Sequence, residues 1–193
     1  MTAQEPGDAA EAGLRIAAAL EAAGIAHALG GALALGAHGV PRGTLDVDVN
    51  VFVPPEAYPV VLATLRSIGV EFDEGASLVR AEREGIMVGR WAGIRVDVFV
   101  PSIPFSDEAG RTRVHLSDDT GRSVAFLSAE ALALFKLLFF RPKDLADLER
   151  LVSVRGARFD REYVRRWLVE MMGEDDERVR AWDAISVLSR PVT

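Results

Sequence analysis

Asp46 and Asp48 in GTLDVDVNVF, followed by Asp97 in IRVDVFV and preceded by the Gly30-Gly31 pair, are the residues of this chain best suited to chemistry. Two carboxylates two positions apart in an apolar, β-branched run point to the same face of a strand, because side chains alternate with period two. Leu45, Val47, Val49, Val51 and Val53 are then expected to face a core on the other side. The second run repeats the arrangement, with Ile94, Val96, Val98 and Val100 on one face and Arg95, Asp97 and Phe99 on the other. If the two strands pair, three carboxylates meet on one surface. Such groups repel one another and call for a compensating cation. Mg²⁺ suits them, since it takes hard oxygen ligands and keeps waters or phosphate oxygens in its shell. A second ion bridged by the same carboxylates gives the two-metal arrangement for in-line displacement at phosphorus, with ions roughly 3.5–4 Å apart. A single D-V-D is more often a solvated strand face. The matching second strand and the upstream glycines favour the metal site.

The elements that must position these residues follow from periodicity and breakers. Residues 1–7 read as a loose tail, and residues 9–23 as a helix ended by Gly24. A short strand over 25–29 leads through the Gly30-Gly31 turn into a short helix over 32–38, and Gly39, Pro41 and Gly43 mark a loop before the first acidic strand. Pro54-Pro55 stops that strand, and residues 56–68 form a helix with Val60, Val61, Leu65 and Ile68 inward. Residues 78–90 and 94–100 read as strands joined near Ala92-Gly93; residues 101–119 are the least regular stretch, and 122–127 an edge strand. From Ser128 onward the pattern is helical only. Ser128 caps 129–140, Pro142 opens 143–154, Asp160 caps 161–172, and 175–188 is the last helix. The expected fold class is α/β: a small mixed sheet with helices on one side, forming a core over 1–127, and a helical C-terminal region over 128–193 packed on it.

Composition bounds the function. The chain has 193 residues, 49% hydrophobic and 26% charged, as expected of a globular domain with a small appendage. It has no cysteine, which removes disulfides and thiolate metal sites and suits a reducing cytoplasm. The longest apolar stretch, 131–140, is interrupted by Lys136 and is too short to span a bilayer, and no signal-peptide pattern opens the sequence. The net charge of −7 argues against broad nucleic-acid binding. Residues 1–140 hold 11 Lys and Arg against 18 Asp and Glu, whereas 141–193 hold 11 of each. An RNA end could be gripped only through Arg155, Arg158, Arg161, Arg165 and Arg166.

Two of the 22 basic residues are Lys, and both fall in the window 136–143. A compact ammonium suits a point contact on a triphosphate. Lys136 sits among Leu132, Phe135, Leu137 and Phe139, where charge is costly unless it meets an anion or snorkels to water. Asp144 and Asp147 share a helix face, at spacings to Lys143 and Arg150 that are ordinary for a surface. His27, His38 and His115 lie in no metal-ligand spacing and read as structural.

Taken as one unit, GGALALGAHGVPRGTLDVDVNVF resembles the polymerase β-like nucleotidyltransferase superfamily, whose signature is a Gly-Gly or Gly-Ser turn, a short helix, and Asp-x-Asp on the next strand. Within it, the run from Arg42 through Thr44 to Asp46 and Asp48 is similar to the Arg-x-Thr-x-Asp-x-Asp form of AbiEii-type abortive-infection toxins and of some antibiotic nucleotidyltransferases. In LSAEALALFKLLFFRPKDLADLERLV, residues Lys136, Arg141, Lys143, Asp144 and Asp147 occupy the positions of a further AbiEii-like pattern. The resemblance runs from residue 25 to about 151. It implies transfer of an NMP from an NTP to an acceptor, with Asp46, Asp48 and Asp97 as catalytic and metal-binding residues. It also implies nucleotide contacts from Gly30, Gly31, Arg42, Thr44 and Lys136, with Asp144 orienting Lys136 or an acceptor. The implied acceptor is an RNA end, a protein or a small hydroxyl compound, and the implied partner a cognate antitoxin. A metal-dependent nuclease and a non-catalytic interaction domain of the same fold are the rival readings.

Overall fold

The computed structural model describes residues 5–117 and 121–188. Residues 1–4 of the expected tail, and Asp118 and Asp119 of the stretch read as irregular, lie outside them. Helix α1 (Ala9–Ala22) is capped by Asp8, whose carboxylate accepts from the Glu11 N–H at 2.8 Å. It leads into β1 (His27–Leu29), α2 (Gly31–Ala37) and β2 (Asp46–Val51). A 3₁₀ turn at Pro55–Ala57 opens α3 (Tyr58–Ser67), followed by α4 (Glu74–Glu84), β3 (Ile86–Trp91) and β4 (Ile94–Phe99). Then come α5 (Ser106–Arg111), β5 (Val114–Ser117) and β6 (Ser123–Phe126). Helices α6 (Ala129–Phe139), α7 (Pro142–Arg155), α8 (Arg161–Met172) and α9 (Glu177–Leu188) complete the chain.

The strands form one mixed sheet in the order β3-β4-β2-β1-β6-β5. β2 and β4 run parallel, as do β1 and β6, and the other pairs are antiparallel. In the central pair Asp46 stands beside Arg95, Asp48 beside Asp97, and Asn50 beside Phe99. Val47, Val49, Val51, Val96 and Val98 are buried on one face with Ile16, Leu20, Val61 and Leu65 of α1 and α3. Each such burial contributes about 1.5–3 kcal/mol, and a one-residue slip would turn all five valines to the other face. The register that buries them therefore fixes the aspartates on the opposite face. There Ala28 and Leu127 pack with α6–α9 through Leu132, Leu148, Leu168 and Trp182. Helices thus cover both sides of the sheet rather than one, and the carboxylates face the C-terminal helices. Phe105 ties the segment after β4 to this layer, edge-on to Phe135, Tyr163 and Trp167.

Three local expectations are corrected. Residues 78–84, expected in a strand, are helical: Asp73 caps α4 by accepting from the Ala76 N–H, Ser77 and Ala81 turn inward four apart, and Gly85 ends the helix at φ +73°. The strand expected at an edge is β6, which lies inside the sheet because β5 adds beyond it. Leu45 and Val60, expected in the core, are 85% and 55% exposed. β2 begins one residue after Leu45, and Val60 takes the outer face of α3 while Val61 and Leu65 take the inner one.

Candidate active site

The glycine turn and the acidic strand meet because of backbone proximity. The Gly30 N–H donates to the Asp48 carbonyl at 2.8 Å, so the start of α2 lies against β2. Gly31 has φ +52°, and a Cβ there would overlap Asp48 Oδ2. A side chain is excluded by conformation and by space. Thr44 braces the entry to β2, its hydroxyl donating to the Asp46 carbonyl at 3.1 Å and accepting from the Asp46 N–H at 3.2 Å.

Asp46 is exposed, and Asp48 and Asp97 are partly buried. Burial raises the Asp48 pKa, and the charges of Asp97 and Asp46 raise it further, against the opposing pull of Lys136 and Arg141. Arg95 Nε donates to both oxygens of Asp97, at 2.8 and 3.0 Å. Among the described residues no three His, Cys, Asp or Glu side chains converge into a ready coordination shell. The donor set nevertheless suits a hard divalent cation. It offers only carboxylates, and Asp48 is pushed toward its neutral form by burial and then by negative neighbours whose charge such an ion would offset.

Across the cavity, Lys136 is 4% exposed, which excludes snorkelling. Its ammonium donates to Asp147 at 2.7 Å and Asp144 at 3.2 Å, and both carboxylates are buried. The surface reading of Asp144 and Asp147 is thereby corrected: they continue the inward stripe of Leu148, Leu151 and Val152 along α7. Arg141 Nε donates to Asp144 at 2.6 Å, and its guanidinium lies 4.9 Å from the centroid of the Phe139 ring. Burial pushes the Asp144 carboxyl up, but the Arg141 hydrogen bond and the charges of Lys136 and Arg141 outweigh it and hold the pKa below the ordinary value. Arg42 Nε stands 3.3 Å from Asp147, an ion pair without hydrogen-bond geometry that links the loop before β2 to α7.

One cavity of about 580 Å³ is lined by Gly31, Arg42, Thr44, Asp46, Asp48, Asp97, Lys136 and Asp144. Every expected site residue except Gly30 faces it. Sequence reasoning gave no site role to Arg95, Asn50 or Phe99, although all three share the carboxylate face by period two. Arg141 and the exposed Lys143, noted in the sequence as positions of the AbiEii-like pattern but given no individual role, also line the cavity. The arginines considered for an RNA end do not line it, and Arg165 is engaged by Glu174 and Asp183. His27 and His38 hydrogen-bond to the carbonyls of Ile25 and Leu127, and burial lowers both pKa values, as befits structural residues. No helix among the described residues is long and apolar enough to cross a membrane.

No protein-family model matches the chain, and no curated protein matches it either. Solved structures do. A solution structure of the antibiotic-resistance factor ANT(2'')-Ia is similar with a TM-score of 0.57 and 14% identity, over 91% of this chain and 87% of that one. A crystal structure of ANT(2'')-Ia in complex with adenylyl-2''-tobramycin gives 0.51 and 15%, over 91% and 95%. The mixed sheet and its helices therefore form a nucleotidyltransferase fold.

Proposed function

We propose that the protein transfers a nucleoside monophosphate from an NTP to a hydroxyl acceptor. The observation that carries this reading is the single cavity in which Asp46, Asp48 and Asp97 face Gly31 and Lys136, drawn together from segments far apart in the chain. The acceptor oxygen attacks the α-phosphorus, the bond from that phosphorus to the bridging oxygen of the β-phosphate breaks, and pyrophosphate leaves with the electron pair. Asp97 would accept the hydroxyl proton. Asp46, Asp48 and Asp97 would hold Mg²⁺, which when bound would polarise the phosphate and favour ionisation of the attacking hydroxyl. Gly31 lets the Asp48 carboxylate lie directly against the turn, and the Gly30-Gly31 turn would contact the β- and γ-phosphates from there.

Lys136 acts from a fixed position. An ammonium has three donors, two of which go to Asp144 and Asp147, leaving one for a phosphate oxygen in the cavity it lines. Arg42 and Thr44 hold the loop that leads to the carboxylates, and Arg141 adds positive charge on the same side. The Arg42-to-Asp48 form supports kinship with AbiEii-type toxins, with RNA or protein as acceptor and an antitoxin as partner. The acidic chain and the absence of the C-terminal arginines from the cavity lining favour a small hydroxyl compound over a long RNA. The test is incubation with Mg²⁺, cell lysate and each NTP labelled at its α-phosphate. Label should move to an acceptor with the wild type and not with Asp48→Asn, and the labelled molecule names the acceptor class.

A further inference from the structure

A second cavity of about 380 Å³ adjoins the first. Asn50, Phe99, Phe135 and Phe139 line both, and the Phe99 and Phe139 rings, 5.7 Å apart between centroids, stand at the junction. The strand register gives the distance to the carboxylates. Asn50 and Phe99 are paired one same-face step beyond Asp48 and Asp97, so the junction lies about 7 Å along the sheet from them. A molecule seated in the second cavity with a hydroxyl at its inner end reaches Asp97 by extending a few atoms past the rings.

The charge of the two cavities differs sharply. The first carries Arg42, Lys136, Arg141 and Lys143 opposite its aspartates. The second has two charged lining residues, Arg80 and Glu84, which neutralise each other through a 2.7 Å hydrogen bond. The hydroxyl of Ser106 already accepts from the Ser102 and Ile103 N–H groups. The remaining wall is largely apolar, with Ile86, Ile103 and Leu138 facing the phenylalanines. A polycation would find no unpaired carboxylate here, and an RNA phosphate no unpaired cation. Desolvating either without a partner costs more than the cavity returns.

We propose that this second cavity is the acceptor subsite, and that it takes an uncharged alcohol with an aromatic or aliphatic body, its hydroxyl directed past Phe99 toward Asp97. This rests on the transferase reading above. The triphosphate then occupies the cationic end, the carboxylate row lies between, and the apolar body fills the other end.

The probe is 2-naphthaleneethanol, titrated by calorimetry into wild type, Leu138→Trp and Ile86→Trp. The two variants fill the cavity from different elements, α6 and β3, at partly exposed positions, with melting curves to verify folding. The expected result is binding to wild type, weakened at least about tenfold in each folded variant, with the affinity for MgNTP unchanged. Equal affinity for the alcohol in wild type and a folded filled variant would overturn the proposal. So would loss, on filling the cavity, of binding by 2-deoxystreptamine or a short 3'-hydroxyl RNA in place of the alcohol. MgNTP titrations on the same samples separate the two readings. Nucleotide binding without alcohol binding sinks the acceptor subsite alone, whereas alcohol binding without nucleotide binding sinks the transferase reading and the acceptor role with it.

Discussion

Arg95 holds both carboxylate oxygens of Asp97 through one Nε–H, at 2.8 and 3.0 Å. The two residues are same-face neighbours on β4, so the guanidinium serves as a resident cation beside the carboxylate row. Its side chain is 43% exposed and free to swing into solvent, so the pair is worth only about 0.5–1 kcal/mol. Arg95→Met should therefore lower the melting temperature of the metal-free protein slightly and enlarge the stabilisation gained on adding Mn²⁺. Melting curves with and without Mn²⁺ check this, and an unchanged metal response would show that Arg95 does not compete at Asp97.

Asp48 has a definite pH signature. Burial, then Asp97 and Asp46, raise its pKa. A group whose folded pKa is raised stabilises the fold below its unfolded pKa and loses that contribution as pH rises through the folded value. Ionised Asp48 is therefore a cost at neutral pH. Asp48→Asn should raise the melting temperature of the metal-free protein at pH 7, with the gain vanishing near pH 3, where the wild type is itself neutral at this site. With MgNTP at pH 7 the order should reverse, because the ligand stabilises only the protein that binds it. A mutant that melts lower without metal and gains as much from MgNTP would rule out this carboxylate row as the metal site.

Lys136→Met changes meaning once the ammonium is seen between Asp144 and Asp147. From sequence, the substitution is expected to weaken nucleotide binding far more than it harms folding. In the structure it leaves two buried carboxylates short of their partner, a loss of about 3–5 kcal/mol. Urea unfolding should register that drop, and Lys136→Met combined with Asp144→Asn and Asp147→Asn should recover much of it. Calorimetry should still find weak NTP binding in the recovered protein. Full affinity there would mean that the third donor of Lys136 meets no phosphate.

Gly31→Ala tests the contact between the turn and the acidic strand. The left-handed conformation costs an alanine about 1–2 kcal/mol, and its Cβ must displace the Asp48 carboxylate. Gly30→Ala has ordinary φ and meets the movable Asn50 amide. The expected order of melting temperatures is wild type, then Gly30→Ala, then Gly31→Ala, with transfer activity lost in the last. Equal stability of the two variants would remove the close approach as the reason for the glycines.

The acidic strands were legible because alternation is a local signal with one physical cause: five valines had to be buried, and that turned the aspartates to the other face. The glycine turn was legible for a related reason, its φ and its crowding against Asp48 being demands that few other residues meet. α4 is hard to read from sequence because Leu78 and Val79 are adjacent β-compatible residues, and they mask the Asp73 cap and the Gly85 stop that frame a helix. β5 has little burial to pattern it and owes its place to pairing with β6. Asp147 was hidden more deeply. The cost of burying it depends on an ammonium from a different helix, and only the packing of α6 on α7 brings that partner within 2.7 Å.

The chain's two lysines have opposite surroundings. Lys136 is enclosed and locked between aspartates, while Lys143, seven positions later, lies exposed along the same cavity. To an amine-acylating reagent the first is silent and the second open, so of the lysines only one answers at the rim of the nucleotide end. Mass spectrometry of the modified chain then reads occupancy at a single peptide, which makes the protein its own footprinting probe for ligands too weak to follow by heat.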